Sequence, residues 1–272
     1  MVRTRWLHMT GLAIALALPM QAGLAREGVE VGQNSKFTKF VSADQVEQSA
    51  VQQYRQLLQQ AASKNALATE NNAQLQRLRR IAQKIIPFSY EWNPRAQNWK
   101  WEVNLLGSNQ INAFCMPGGK IAFYSGILDE LKLTDDEVAM VMGHEVAHAL
   151  REHARERMGK NAVTGGLLRG GAALFGLGQV GDLAAQGATS LLALKFGRED
   201  ESEADLVGME LAARAGYDPR AGVSLWQKMG SANKGAPPQW LSTHPSGNTR
   251  IADIEKNLPK VSPLFERARG AR

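Results

Sequence analysis

The sequence predicts a mainly helical α+β fold with one small β-sheet beside a central helix. Several segments have the apolar spacing or the end signals of helices. Residues 98–124 differ, since they alternate apolar and polar side chains or form short apolar runs around a turn. A strongly capped segment begins at Thr134, shortly after these strands.

The composition excludes several classes of protein. Hydrophobic residues make up 44% and charged residues 21%, which is typical of a soluble globular chain of this length. The formal net charge is +6, but the basic residues are scattered without interleaved aromatics, so we expect no nucleic-acid partner. Cys115 is the single cysteine, which excludes an intramolecular disulfide and a multi-cysteine metal site.

Residues 1–25 have the pattern of a cleavable signal peptide. Two arginines precede an apolar stretch at residues 10–20 that is too short to span a bilayer. Gly23 and Ala25 fit a cleavage site. The pattern predicts export to the periplasm, with an uncleaved membrane anchor as the alternative.

Two helices are predicted before the strands. Residues 26–40 are polar and contain glycine, which predicts a flexible lead-in. One helix is expected from about Ser42 to Lys64. A second is expected from Thr69 to Ile86, where Pro87 stops it.

Three strands are predicted between residues 98 and 124, followed by a short helical segment. The strands are placed near 99–103, 111–115 and 120–124, with a Pro-Gly-Gly turn before the last and the helical segment near 126–131.

The helix after Thr134 has the clearest start signals. Thr134 and Glu137 fit a capping box, and three acids fill the first turn, where the helix dipole favours them. We expect this helix to run to about Met158, with Gly159 as its stop. His153, near the predicted end, is interpreted as an ordinary basic residue of a last turn.

The rest of the chain predicts further helices. Residues 162–196 are rich in Gly, Ala and Leu and predict a pair of buried or partly exposed helices, with a mobile cover over a cleft or a membrane-contacting loop as alternatives. Later helices are expected near 198–215, 219–230 and 248–257.

The main functional signal is His144, Glu145 and His148, which together form an HExxH motif. Residues at i and i+4 share one face of a helix, so both imidazoles can bind one tetrahedral zinc ion. Glu145 can then reach a water molecule at that ion. A chance occurrence of the motif inside a well-capped helix is rare, which favours a metal site over two surface histidines.

A catalytic zinc site needs a third protein ligand and one open position. The candidates lie in the acidic run 198–205. Glu201 and Asp205 are four residues apart and share a face, so one could bind zinc while the other supports a ligand histidine. Spacing alone does not choose between Glu201 and Glu203.

Four blocks of sequence together resemble the zinc metalloendopeptidases of the CAAX prenyl protease and HtpX type. The blocks are residues 112–121, 144–148, 201–205 and 243–251, and the resemblance covers roughly residues 70–258. It looks closest to the soluble periplasmic LoiP- and BepA-like branch. The resemblance implies a zincin-type (gluzincin) fold and one zinc ion per chain, held by His144, His148 and Glu201, with Asp205 behind the ligands.

The resemblance also suggests roles for other residues. Glu145 is expected to act as general base. His244 is expected at the active site, either stabilising the oxyanion or occupying the fourth zinc position and holding the enzyme latent. Arg250 is expected to orient the loop of His244 or to steady a charged intermediate.

The strand containing Asn112, Ala113 and Phe114 is a candidate substrate-binding element. An extended peptide could add to its free edge through backbone hydrogen bonds, although an ordinary core strand is the alternative. Cys115 is expected to be a packed residue and not a nucleophile.

The sequence thus predicts a zinc-dependent endopeptidase that hydrolyses unfolded or misfolded cell-envelope proteins. The substrate class follows from the resemblance and from export. The alternative is a non-proteolytic, chaperone-like binding protein that uses zinc for structure. The predicted organisation is a signal peptide (1–25), an N-terminal lead-in and helix (26–68), a metallopeptidase domain (69–258) and a C-terminal tail (259–272). Polypeptides are the expected partners, with peripheral membrane contact as a further possibility.

Overall fold

A computed structural model describes residues 26–168, 191–232, 238–245 and 249–271. The signal peptide predicted at 1–25 lies outside the described residues, as does most of the Gly-, Ala- and Leu-rich segment, at 169–190. The structure confirms the predicted mainly helical α+β fold with a small sheet.

The described part of the chain contains helices α1 to α9 and strands β1 to β3. The helices are α1 (Ala43–Ser63), α2 (Ala73–Ile85), α3 (Ser125–Glu130), α4 (Asp135–Leu150), α5 (His153–Leu168), α6 (Arg198–Arg214), α7 (Ala221–Ala232), α8 (Gln239–Thr243) and α9 (Arg250–Gly270). The strands are β1 (Glu102–Leu106), β2 (Ala113–Met116) and β3 (Lys120–Tyr124). None of the described helices combines the length and apolar character needed to cross a membrane.

The three strands form one sheet in the order β1-β3-β2. Strand β3 pairs in parallel with β1 and antiparallel with β2, so β2 has β3 as its partner and its other edge carries no strand among the described residues. The β2–β3 turn requires Gly118 and Gly119, whose φ angles are +81° and +75°, values that side chains disfavour. This turn and the position of β3 agree with the sequence prediction.

Helix α4 passes through the middle of the core. The predicted capping box is present: Thr134 Oγ1 accepts from the Glu137 N–H, and the Glu137 carboxylate accepts from the Thr134 N–H. Every residue from Glu137 to Leu150 is buried. A helix buried on all sides has an apolar environment around any polar residue it carries, including its histidines.

Helices α4 and α6 touch through glycines. A Cβ on Gly143 would lie 2.5 Å from the carbonyl oxygen of Gly208, and a Cβ on Gly208 would lie 2.5 Å from the backbone nitrogen of His144. Such distances are far below van der Waals contact, so both positions require glycine. The two helix backbones therefore approach each other more closely than side chains would permit.

The prediction of one helix that runs to Met158 is wrong, since the structure has two helices in this region. Helix α4 ends at Leu150, Glu152 adopts a left-handed conformation with φ +58°, and α5 begins at His153. Gly159 is not a stop but lies inside α5, where a Cβ would sit 2.0 Å from the carbonyl oxygen of Phe37. The glycine permits close packing of the N-terminal segment on α5.

The N-terminal segment predicted to be flexible is docked on α6. Val29 is buried, and its N–H donates to the Glu210 carboxylate at 2.8 Å. Arg26 also pairs with this carboxylate. These contacts satisfy a buried acid, and they fix residues 26–29 against the helix that carries Glu201.

The last helix extends beyond its predicted end near Asn257. Helix α9 continues to Gly270 although it contains Pro259 and Pro263, each of which lacks a backbone N–H for the helical ladder. Leu264 and Phe265 are buried in the main core. Burial of this apolar face compensates for the lost hydrogen bonds, so the predicted C-terminal tail is largely helical.

The glycine contact between α4 and α6 yields a stability prediction. Gly208→Ala should lower the free energy of unfolding by about 2 kcal/mol or more, because overpacking forces the backbones apart. The matched control is Gly230→Ala on α7, where an added Cβ meets nothing within 4 Å. The control should be neutral or raise stability by up to about 1 kcal/mol. Urea unfolding followed by circular dichroism measures both, and equal effects would refute the contact.

Candidate metal centre

Helices α4 and α6 bring three of the predicted metal ligands together. The Nε2 atoms of His144 and His148 lie 3.0 Å apart. Glu201 on α6 approaches both rings, with one carboxylate oxygen 3.7 Å from His144 Nε2 and the other 3.4 Å from His148 Nε2. His244 joins them, so that four buried donor atoms lie within 4.8 Å of one another.

The donor set fits one zinc ion. Glu201 Oε1 and His244 Nε2 are buried without a hydrogen-bond partner, which is costly unless a cation binds there. Tetrahedral zinc with bonds of about 2.0–2.1 Å separates two imidazole nitrogens by about 3.3 Å, close to the observed 3.0 Å. One zinc ion per chain, predicted from the sequence, is therefore consistent with the geometry.

The carboxyl groups around these donors also favour a cation. Glu145, Glu201 and Asp205 are buried carboxyl groups, and in the described part of the centre Arg250 is the cation that pairs directly with Glu201 and Asp205. Three carboxylates facing one guanidinium would leave two negative charges in an apolar interior. A divalent ion would neutralise that excess.

The three imidazoles are in the form that binds metals. Burial lowers the pKa of His144 below its ordinary value, although Asp205 favours its charged form. Burial and the neighbouring cationic groups place the pKa of His148 and of His244 well below the ordinary value. Neutral imidazole offers a nitrogen lone pair to a metal, whereas imidazolium does not.

The structure separates Glu201 from Glu203, which spacing alone did not. Glu201 lies in the metal-donor cluster, whereas Glu203 contacts Arg151 and His153 outside it. Burial raises the pKa of Glu201 to about 9, although Arg250 favours its carboxylate. A bound cation would favour ionisation of this buried group.

Asp205 and Arg250 support the donors from behind, where the sequence placed Asp205. Asp205 Oδ1 contacts His144 Nδ1 at 2.9 Å, which leaves His144 Nε2 free to face the other donors. Arg250 donates to both oxygens of Asp205, at 2.5 and 2.6 Å, and to Glu201 at 2.6 Å. Burial alone would raise the pKa of Asp205, but Arg250 and His144 hold it at about 2.

Glu145 is held by a residue that sequence reasoning missed. The indole N–H of Trp240 donates to Glu145 Oε1 at 2.6 Å. Burial raises the pKa of Glu145 to about 8, and the Trp240 hydrogen bond opposes this rise. Trp240 belongs to no motif used to find the site. Its position on α8, four residues before His244, which follows that helix directly, was the available signal.

His244 faces the donor cluster with an unprotonated nitrogen. Its Nδ1 lies 3.2 Å from the carbonyl oxygen of Trp240, which can accept a hydrogen bond but not donate one. The Thr243 hydroxyl, 2.9 Å from the same Nδ1, can accept as well as donate, so a proton on Nδ1 satisfies both contacts and leaves the lone pair on Nε2. This Nε2 lies 3.6 Å from Glu145 Oε2.

His153 is also part of the centre, contrary to its interpretation as a last-turn basic residue. Its side chain is 1% exposed, and its Nδ1 lies 2.9 Å from Nδ1 of His148. Phe196 stacks on the His148 ring, with centroids 4.1 Å apart and an interplanar angle of 28°. The sequence prediction failed here because the chain reverses after Leu150, which places His153 beside His148.

The predicted substrate-binding strand lies beside the donors. Strand β2 packs along α4, and Asn112, Ala113 and Phe114 line a cavity of about 50 Å³ that also contacts Glu145 and His148. This volume holds a few water molecules and is too small for a peptide. Cys115 is buried next to this cavity, and burial raises its pKa well above the ordinary thiol value, as expected for a packed residue.

Comparison with known proteins reveals related sequences. The profile of Peptidase family M48 matches residues 71–258, more than half of the chain. "Mitochondrial metalloendopeptidase OMA1" of Arabidopsis thaliana is 41% identical over 157 residues, covering 55% of this chain and 30% of the relative. OMA1 of Saccharomyces cerevisiae is 30% identical over 208 residues, covering 71% and 58%. "Beta-barrel assembly-enhancing protease" of Escherichia coli O157:H7 is 29% identical over 172 residues, covering 59% and 35%.

The chain belongs to Peptidase family M48. This confirms the predicted kind of zinc metallopeptidase, while the similarity to OMA1 proteins does not single out the LoiP- and BepA-like branch. The chain spans less than two thirds of the length of these relatives.

The paired acids of the centre yield a second stability prediction. Arg250→Gln should lower the free energy of unfolding by about 3–5 kcal/mol, because it leaves buried carboxylates without their partner. The matched control is Arg220→Gln, which breaks the exposed pair with Asp218 and should cost far less, because solvent screens that pair. Urea unfolding of metal-free protein compares them, and similar losses would show that the buried pairing does not stabilise the fold.

Proposed function

We propose that this chain is a zinc-dependent endopeptidase that hydrolyses peptide bonds of unfolded or misfolded cell-envelope proteins. The observation that carries this proposal is the convergence of His144, His148 and Glu201, with the Glu145 carboxyl group alongside them. Family membership gives this arrangement its chemistry.

Each residue has a distinct task in the proposed reaction. Zinc held by His144, His148 and Glu201 would supply Lewis acidity, which would acidify a water molecule and polarise the scissile carbonyl group. Glu145 accepts a proton from the attacking water and returns it to the leaving amine. Trp240 holds one oxygen of Glu145 and leaves the other facing the donors. Asp205 and Arg250 keep the first ligand, His144, in one orientation.

The free edge of β2 is the proposed binding element for an extended peptide. Tyr124 donates to the carbonyl oxygen of Asn112. Because outward and inward backbone groups alternate along an antiparallel ladder, the polar groups of Ala113 and Cys115 face the free edge. The Ala113 N–H is occupied there by the Asn112 side chain at 3.0 Å, which an incoming peptide would replace.

The lining of the cavity supports an unfolded polypeptide as substrate. Next to Glu145 and His148, its walls are largely apolar, formed in part by Phe114, Met116 and Leu194. Backbone pairing to β2 reads main chain more than side chains, and apolar walls favour residues that folded proteins bury. Together these features suit exposed segments of misfolded proteins.

For His244 we favour the role of fourth donor over that of oxyanion stabiliser. Its Nε2 carries a lone pair toward the cluster, and a lone pair binds a cation but donates no hydrogen bond. A fourth protein donor occupies the position that a catalytic water needs. With His244 as fourth donor the arrangement would be a closed, latent state, and the small cavity supports this role.

The proposed location is the bacterial periplasm. It is supported by the signal-peptide pattern of residues 1–25 and by the similarity to the beta-barrel assembly-enhancing protease. Under this proposal residues 69–258 form the peptidase domain of a LoiP- and BepA-like enzyme. The mature chain would begin at Arg26, which N-terminal sequencing reads directly.

Glu145→Gln tests the proposed function. We expect this variant to retain one zinc per chain and to cleave casein about 10²–10⁴-fold more slowly, because the general base is lost. The matched control is Glu199→Gln, an exposed acid at the start of α6, which should cleave like wild type. Metal analysis and a casein assay are run on the same preparations. If Glu145→Gln cleaves normally the mechanism is wrong, and if wild type fails to cleave but suppresses aggregation the chaperone-like alternative holds.

His244→Ala separates the two roles of His244. As fourth donor, its loss should weaken zinc affinity several-fold and accelerate casein cleavage at saturating zinc, because the fourth position opens. An oxyanion stabiliser would show the opposite effect, a fall of about 10²-fold or more in kcat. Chelator competition and steady-state kinetics on one preparation distinguish these outcomes.

A further inference from the structure

His153 reaches the metal centre because the helix is interrupted between α4 and α5. In a continuous helix a residue five positions after His148 would lie about 140° round the axis, on another face. The left-handed conformation of Glu152 reverses the chain, and α5 starts at His153. The break returns the imidazole to His148, where the two Nδ1 atoms lie 2.9 Å apart.

A chain of hydrogen bonds continues outward from this contact. His153 Nε2 lies 3.0 Å from Glu203 Oε2, and Arg151 donates to Glu203 Oε1 at 2.7 Å. His153 is completely enclosed, whereas Glu203 is partly exposed. These hydrogen bonds therefore connect the metal ligand His148 to the Glu203 carboxylate, near the surface, through the buried ring of His153.

The donors and acceptors in this series of hydrogen bonds follow from its last member, Glu203. Glu203, paired with Arg151, is a carboxylate and can only accept, so the His153 proton lies on Nε2. His153 Nδ1 then carries a lone pair and accepts from the Nδ1–H of His148. In this arrangement His148 Nε2 has no proton and faces the other donors, as a metal ligand requires.

We propose that His153, fixed by Glu203, is the positioning residue that sets the tautomer and ring orientation of the metal ligand His148. The inference rests on the zinc site of the proposed function. Phe196 stacks on the face of the His148 ring and prevents it from tilting, but a stacked ring can still carry its proton on either nitrogen. The acceptor at His153 makes that choice.

The two histidine ligands differ in the group that their Nδ1 atom contacts. For His148 that group is the imidazole of His153, whereas for His144 it is the carboxylate of Asp205. His144 contacts Asp205 directly, and Asp205 needs the buried Arg250 as its counter-charge. A second carboxylate against His148 would add a fourth buried negative charge to the centre. Placing a neutral ring between His148 and Glu203 keeps that charge farther out, paired with Arg151.

Zinc affinity measures this role independently of peptidase activity. The variants are His153→Leu, which removes the acceptor, and His153→Asn, whose side-chain oxygen lies near the position of Nδ1. Competition with a chromophoric chelator should show a 10–100-fold higher zinc Kd for His153→Leu, the usual cost of losing such a partner. His153→Asn should restore the Kd to within a few-fold of wild type, and Glu203→Gln should raise it a few-fold.

Controls separate positioning from packing. Glu156→Gln alters another buried acid on α5, one that pairs with Lys160, and should leave the zinc Kd unchanged. The absorption bands of cobalt-substituted protein should shift in His153→Leu and return in His153→Asn, because ligand orientation governs them. If His153→Leu proves unstable, the zinc Kd values of His153→Asn and Glu203→Gln provide the test. Equal zinc loss in the Leu and Asn variants, or a wild-type Kd in His153→Leu, would overturn the proposal, whereas failure of Glu145→Gln to lose activity would not affect it.

Discussion

The close approach of α4 and α6 is the constraint on which the centre depends. The histidines lie on one helix and Glu201 with Asp205 on the other, so the donors converge only if the axes run within reach of short side chains. Gly143 and Gly208 permit this approach because neither backbone meets a Cβ. Helix packing distances of about 8–10 Å depend on the side chains at the contact, and glycines allow the lower end. The metal site is thus a property of the helix pair as well as of its ligands.

Charge balance explains why the surroundings of the donors are as specific as the donors. Taking a carboxylate out of water is costly unless a cation compensates. Arg250 divides its donors between Asp205 and Glu201, which holds the pKa of Asp205 at about 2 while burial raises that of Glu201 to about 9. The contrast shows that one guanidinium does not stabilise both anions fully. The negative charge that Arg250 leaves unbalanced lies next to the position between Glu201 and the three imidazoles, and a dication fits at that position.

The sequence could predict those parts of the site that depend on contacts within one helix. The capping box at Thr134 and the i, i+4 spacing of His144 and His148 are local, and the structure contains both. The spacing of the acidic run did not choose Glu201 over Glu203, whereas the family resemblance did. The physical reason lies in packing, since both residues lie on α6 and differ in which neighbours they meet. Trp240 could be found only through its spacing to His244, because its partner Glu145 is 95 residues away in sequence. The extension of α9 through two prolines was missed for the same reason, since burial by distant residues outweighs local propensity.

The end of α4 shows how a local rule can point to the wrong residue. Gly159 satisfies the rule for a helix stop, yet the chain turns at Glu152, which adopts a left-handed conformation that costs a non-glycine residue about 1 kcal/mol. Side-chain contacts offset this cost, since the Glu152 carboxylate accepts from Arg155 at 2.7 Å and from Asn34 at 3.4 Å. The break then serves two contacts at once, because it carries His153 to His148 and directs α5 along the N-terminal segment, where Gly159 meets Phe37. A straight helix would lose both contacts. The left-handed conformation of Glu152 therefore allows His153 to contact the metal ligand His148.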